Sequence, residues 1–115
     1  MGAGRFLKEK NKNIKIIAVQ PESFHGIEGL KNMDSSVPVR IYDPAVHDEK
    51  VTVPTEPAYE WTRELAAKEG WLVGPSSGAA LHGVFQALKN LDEGVAVIVF
   101  PDGGDKYLSA QLWMK

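Results

Sequence analysis

Trp71-Leu72-Val73-Gly74-Pro75-Ser76-Ser77-Gly78-Ala79-Ala80-Leu81 is the stretch that decides the fold. An apolar strand enters a turn of glycine, proline and serine, and a helical pattern follows at once. A strand that turns into a helix in this way aims backbone N–H groups and hydroxyls above the sheet edge, where open α/β folds bind ligands. Beyond the turn, Ala80, Leu81, Val84, Phe85 and Leu88 trace one helical face. Lys89 suits the negative end of that helix, and Asn90 is a left-handed stop.

Upstream, the spacing predicts a helix over Glu56 to Glu69. Thr55 is placed to cap it, and Pro57 sits in the first turn, where its missing N–H costs nothing. Ala58, Trp61, Thr62, Leu65 and Ala66 form its buried stripe, and Gly70 ends it. The run Ile14 to Val19, closed by Pro21, reads as a strand buried on both faces, as in a parallel sheet. Lys50 to Val53 reads as a second strand and Val95 to Phe100 as the last buried one. Phe6 to Lys10 is the end of a short helix stopped by Asn11-Lys12-Asn13. Strands alternating with helices predict a three-layer α/β fold, with a largely parallel open sheet and flanking helices.

The composition narrows the function. With 115 residues, 43% of them hydrophobic and 24% charged, the chain has the make-up of one globular domain. A net charge of -2 offers no footprint for nucleic acid. The absence of cysteine excludes disulfides, thiolate metal sites and a cysteine nucleophile. Three separate histidines do not make a metal site. No apolar run approaches the ~20 residues that span a bilayer. The first residues lack the order of a signal peptide, so a cytoplasmic location is expected.

Two turns stand out as chemistry-bearing, Gly74 to Gly78 and Phe100-Pro101-Asp102-Gly103-Gly104-Asp105. If their strands are parallel neighbours, Ser76 and Asp102 face one crevice. On spacing alone, both are better explained as tight connections that need glycine for their backbone angles. Gly74-Pro75-Ser76-Ser77-Gly78 also fits the G-x-S-x-G elbow of serine hydrolases. That chemistry needs a histidine base after the serine, yet His82, the only one, lies on the same helix and cannot reach back.

Four blocks resemble the C-terminal portion of cysteine synthases (O-acetylserine sulfhydrylases), fold-type II enzymes that use pyridoxal 5′-phosphate. They are Gly2-Ala3-Gly4-Arg5-Phe6-Leu7-Lys8-Glu9, Gly26-Ile27-Glu28-Gly29-Leu30-Lys31-Asn32-Met33, Leu72 to Ala80, and Phe100 to Ser109. The likeness runs from Met1 to Leu112 and makes the chain part of the cofactor-binding large domain. It implies that Ser76 meets the pyridine nitrogen of the cofactor, with Gly74 and Asp102 beside it. It places Gly29 and Lys31 on the substrate side, where Lys31 would receive an anionic leaving group such as phosphate. An exposed lysine in a polar loop is the plainer account of Lys31. Pro75 and Gly103 depart from residues common in relatives.

The resemblance also implies what these 115 residues do not contain. The Schiff-base lysine, the glycine- and threonine-rich phosphate loop and the grip on the substrate carboxylate belong to the family's N-terminal half. Hence residues 1–115 are expected to be a single C-terminal segment with no catalytic residue of its own, inactive alone. Its partners would be a small amino-acid substrate, the N-terminal half and, in the intact enzyme, a second copy in a homodimer. The competing expectation is a non-catalytic module that associates through exposed sheet edges.

Overall fold

The computed structural model describes residues 1–114. Helix α1 spans Gly2–Lys10 and stops at Asn11, whose backbone turns extended. Strand β1 (Ile17–Pro21) pairs in parallel with β2 (Glu49–Val53), in the register Ile17↔Glu49 to Pro21↔Val53. Helix α2 (Thr55–Glu64) leads into a wider π turn at Leu65–Glu69. Gly70 closes that turn in the left-handed region at φ 70, a conformation glycine adopts without penalty. Helix α3 covers Pro75–Ala87, and a 3-10 segment at Gly104–Ala110 ends the chain. The α/β class and the parallel pairing agree with the sequence expectation, on a sheet of two strands.

Asp48 sets where the sheet begins. Its carboxylate accepts the Ile16 N–H at 2.7 Å and pairs with Lys8, tying α1 to the first rung. That is why β1 starts at Ile17 and not at Ile14: regular pairing exists only opposite β2. Ile17, Ala18 and Val19 are half-buried and only Gln20 and Pro21 buried, so the strand is not covered on both faces as expected.

The core is Ile27, Val53, Ala58 and Ala79, with Val19, Leu30, Val51 and Tyr59 against it. Small residues let α3 come close. A Cβ on Gly78 would lie 2.1 Å from the Ala58 carbonyl oxygen and 2.2 Å from Thr62 Oγ1, and one on Gly83 would lie 2.6 Å from Val19. Helices separated by so little must meet through hydrogen-only positions.

The expected face of α3 is therefore corrected. Pro75, Ser76, Ser77, Gly78, Ala79 and Gly83 are buried, while Ala80, Leu81, Val84 and Leu88 are only half-buried and Phe85 is exposed. Close approach outweighs apolar bulk at this contact. Phe85 instead stacks on Trp61, centroids 4.7 Å apart. The capping role expected of Thr55 is also corrected: it is the first residue of α2, behind Pro54, and its hydroxyl accepts the Gly26 N–H at 3.0 Å.

Two expected strands do not form. Trp71-Leu72-Val73 makes only an isolated antiparallel bridge, Val73 to Gly103, so the two turns do not belong to parallel neighbours. Val95 to Phe100 has no strand partner among the described residues, and Val95, Val97 and Val99 are exposed. A strand needs a second edge for its N–H and C=O groups, and none of the described segments reaches this one.

Candidate functional site

The two glycine-bearing turns do meet, by a different route from the one expected. The Gly74 N–H donates to the Asp102 carbonyl at 3.1 Å and the Gly104 N–H to the Leu72 carbonyl at 2.9 Å, flanking the Val73–Gly103 bridge. Gly74 immediately precedes α3, with Pro75 as the first helical residue, where its fixed φ and missing N–H are no cost. Ser76 therefore sits in the first turn of a 13-residue helix, at the positive end of its dipole.

Asp102 is aimed at this turn. Its Oδ2 accepts the Tyr107 hydroxyl at 2.7 Å, and Oδ1 is buried with no hydrogen-bond partner. A Cβ on Gly74 would stand 2.2 Å from Asp102 Oδ1 and 2.8 Å from Tyr107 Cε2, so only glycine fits there. The bond to Asp102, then burial, then the charges of Asp102 and Glu28 hold the Tyr107 phenol above its ordinary value of 10.0. Tyr107 thus remains a proton donor through the neutral range.

The Gly26 to Met33 block reaches the same place. Gly29, at φ 82, lies with its missing Cβ 3.9 Å from the Tyr107 hydroxyl. The block is fastened from below: buried Asn32 donates to the Pro21 carbonyl at 2.8 Å, and buried Gln20 accepts the Met33 N–H at 3.2 Å. Tyr59 donates to the Gly26 carbonyl at 2.7 Å. Lys31 is exposed and enters none of the ion pairs among the described residues.

Ser76 is 8% exposed, more enclosed than a hydroxyl on an open crevice. Its Oγ is not among the buried side-chain atoms left without a partner, whereas Ser77 Oγ is. Two open hollows lie elsewhere, one beside Arg5, Lys8 and Asp48 and one beside Trp61 and Lys68. His82 is turned away from the serine: its Nδ1 accepts the Trp61 Nε1–H at 3.2 Å and its Nε2 faces Gln86. A serine hydrolase arrangement is not built here. No three His, Asp or Glu side chains among the described residues converge as metal ligands. None of the described helices is long and apolar enough to cross a membrane.

The geometry thus brings Gly74 against Asp102, with Tyr107 between Asp102 and Gly29, and leaves Lys31 exposed. Tyr107 is the residue that sequence reasoning passed over. Its only signal was an aromatic hydroxyl five residues after Asp102 in the fourth block.

The site thus consists of a strand-like entry, a glycine turn and a serine at a helix N-terminus, set in an α/β body. Residues 1–102 match the family of pyridoxal-phosphate dependent enzymes, and the chain belongs to that family. It is 51% identical to the cysteine synthase of Aquifex aeolicus over 98% of this chain and 36% of that protein. The Bacillus subtilis O-acetylserine dependent cystathionine beta-synthase is 35% identical, over 97% of this chain and 39% of that protein. Among solved structures, the cysteine synthase of Entamoeba histolytica superposes with a TM-score of 0.85 at 37% identity, covering 99% of this chain and 36% of that one. The chain therefore spans little more than a third of the length of the relatives it matches.

Proposed function

We propose that this chain forms the floor of the cofactor and substrate site of a cysteine synthase, an enzyme that replaces the β-substituent of an activated serine by a sulfur donor. The observation that carries the reading is the buried Asp102 Oδ1, a carboxylate oxygen that no protein group satisfies, set against Gly74, with Tyr107 between Asp102 and Gly29. Such an oxygen costs about 1–3 kcal/mol unless something donates to it. Gly74, with no room for a Cβ, and Ser76, at the positive end of α3, fit the edge of a flat polar ring. Pyridoxal 5′-phosphate, when bound, supplies an electron sink for the carbon chemistry.

In this reading the Ser76 hydroxyl hydrogen-bonds the ring nitrogen. A neutral hydroxyl does not hold that nitrogen protonated as a carboxylate would, which tempers the sink and suits β-replacement. Gly29 keeps the substrate side of the ring open, and Lys31 meets the departing anion, acetate or phosphate. The Schiff-base lysine, the phosphate loop and the carboxylate grip come from polypeptide outside these residues, making this the C-terminal segment of a larger cofactor-binding domain. The intact assembly is a homodimer.

The test is a chimaera joining this chain to the preceding part of the Aquifex aeolicus relative. Cysteine formation from O-acetylserine and sulfide is expected from the chimaera and not from the chain alone. Ser76→Ala should lower its turnover about tenfold, the upper scale of one neutral hydrogen bond. Full activity of that variant, or cysteine formation by the isolated chain, would refute the reading.

The exposed valines of Val95 to Phe100 favour a second reading, association through an open strand edge. Light scattering that grows with concentration supports it, and a monomer at all concentrations removes it.

A further inference from the structure

Tyr107 stands where three segments far apart in the chain meet. Its hydroxyl donates to Asp102 Oδ2 at 2.7 Å, its Cε2 closes the space above Gly74 at 2.8 Å from where a Cβ would be, and the same hydroxyl lies 3.9 Å from the missing Cβ of Gly29. Among the described residues, the one cation in an ion pair with that carboxylate is Lys106, 3.9 Å away with its side chain mostly exposed. So the phenol, not the lysine, fixes the rotation of Asp102. That rotation in turn directs Oδ1 into the Gly74 turn, two residues before Ser76.

We infer that Tyr107 is a positioning residue of the proposed site, coupling the Gly29 loop to the Gly74–Ser76 turn through the Asp102 carboxylate. The functional meaning rests on the cofactor reading above; the mechanical link exists without any ligand. An occupant at Ser76 that draws on Asp102 moves the phenol, and the phenol is the group that borders Gly29, 3.9 Å from where its Cβ would be. Cofactor side and substrate side then communicate through one hydrogen bond.

The experiment uses the whole chain. Tyr107→Phe keeps the ring and removes the donor; Asp102→Asn keeps an acceptor and removes the charge. Without ligand, Tyr107→Phe is expected to move the NMR amide signals of both Gly29 and Gly74. It should also speed exchange of the Gly74 amide at least about tenfold, since loss of a bond to a charged group is felt at this scale. Changes confined to residues 102–107 overturn the inference. In alkaline absorbance titration, Asp102→Asn should bring one tyrosine down toward 10.0, and an unchanged curve also overturns it.

With pyridoxal 5′-phosphate as the probe, and in the chimaera that supplies the phosphate loop and the lysine, the Ser76 and Gly29 amides should respond together. In Tyr107→Phe, Ser76 alone should respond. An equal response of Gly29 in both chains defeats the coupling. Silence at Ser76 in the chimaera defeats the cofactor reading instead, and the ligand-free measurements then decide Tyr107 by themselves.

Discussion

Val53 and Val97 both sit in apolar runs that read as strands, yet Val53 is 0% exposed and Val97 is 88% exposed. The difference lies in their neighbours. Val53 ends a paired strand and lies in the core with Ala58 and Ala79, in the half of the molecule where α3 packs on both strands. Val97 belongs to a segment with no edge to pair with and no helix across it. Apolar character thus marks a residue as buriable, and a partner surface decides whether it is buried.

The contrast breaks most sharply at Gly78. Gly78→Val places a branched side chain where even a Cβ meets the Ala58 carbonyl at 2.1 Å. The packed half should lose about 3 kcal/mol or more in urea unfolding, as overfilled contacts do when backbone must move. The matched pair of valines comes next. Val53→Ala should cost about 2 kcal/mol, whereas Val97→Ala should stay within about 0.5 kcal/mol, both read from urea midpoints. A comparable loss at Val97 would mean that its segment is covered after all.

The smallest effect belongs to Asp48, the latch at the start of the sheet. The Ile16 N–H, and then Lys8, hold its carboxyl below the ordinary 3.8. A depressed carboxyl contributes stability above its unfolded value, and that contribution fades as pH falls through the lower folded value. Asp48→Asn should therefore be less stable than the parent near about pH 7, with the gap closing below about pH 3.8. A gap that widens in acid would contradict the assigned bonds.

Much of the local structure was legible. Gly70 ends its helix in the left-handed region, Asn11 stops α1, and β2 falls one residue from its expected start. Of the site, Gly74, Asp102 and Gly29 were legible as turn residues and as parts of the four blocks, and Gly74 does meet Asp102, with Tyr107 between Asp102 and Gly29. Tyr107 was not, because its role exists only once residues 29, 74 and 102 are neighbours in space. Lys31 was named from its place in the second block and from its charge, and it is exposed, with no ion pair among the described residues.

By itself the sequence determined the punctuation of the chain and the α/β class, because capping, turn chemistry and periodicity act within a few residues; the family followed from the resemblance of four blocks. The tertiary structure alone decided which face of α3 is buried, which apolar runs become strands, and that a phenol joins two loops. Those outcomes depend on close approach and on a second strand edge, and both are set by residues distant in the chain.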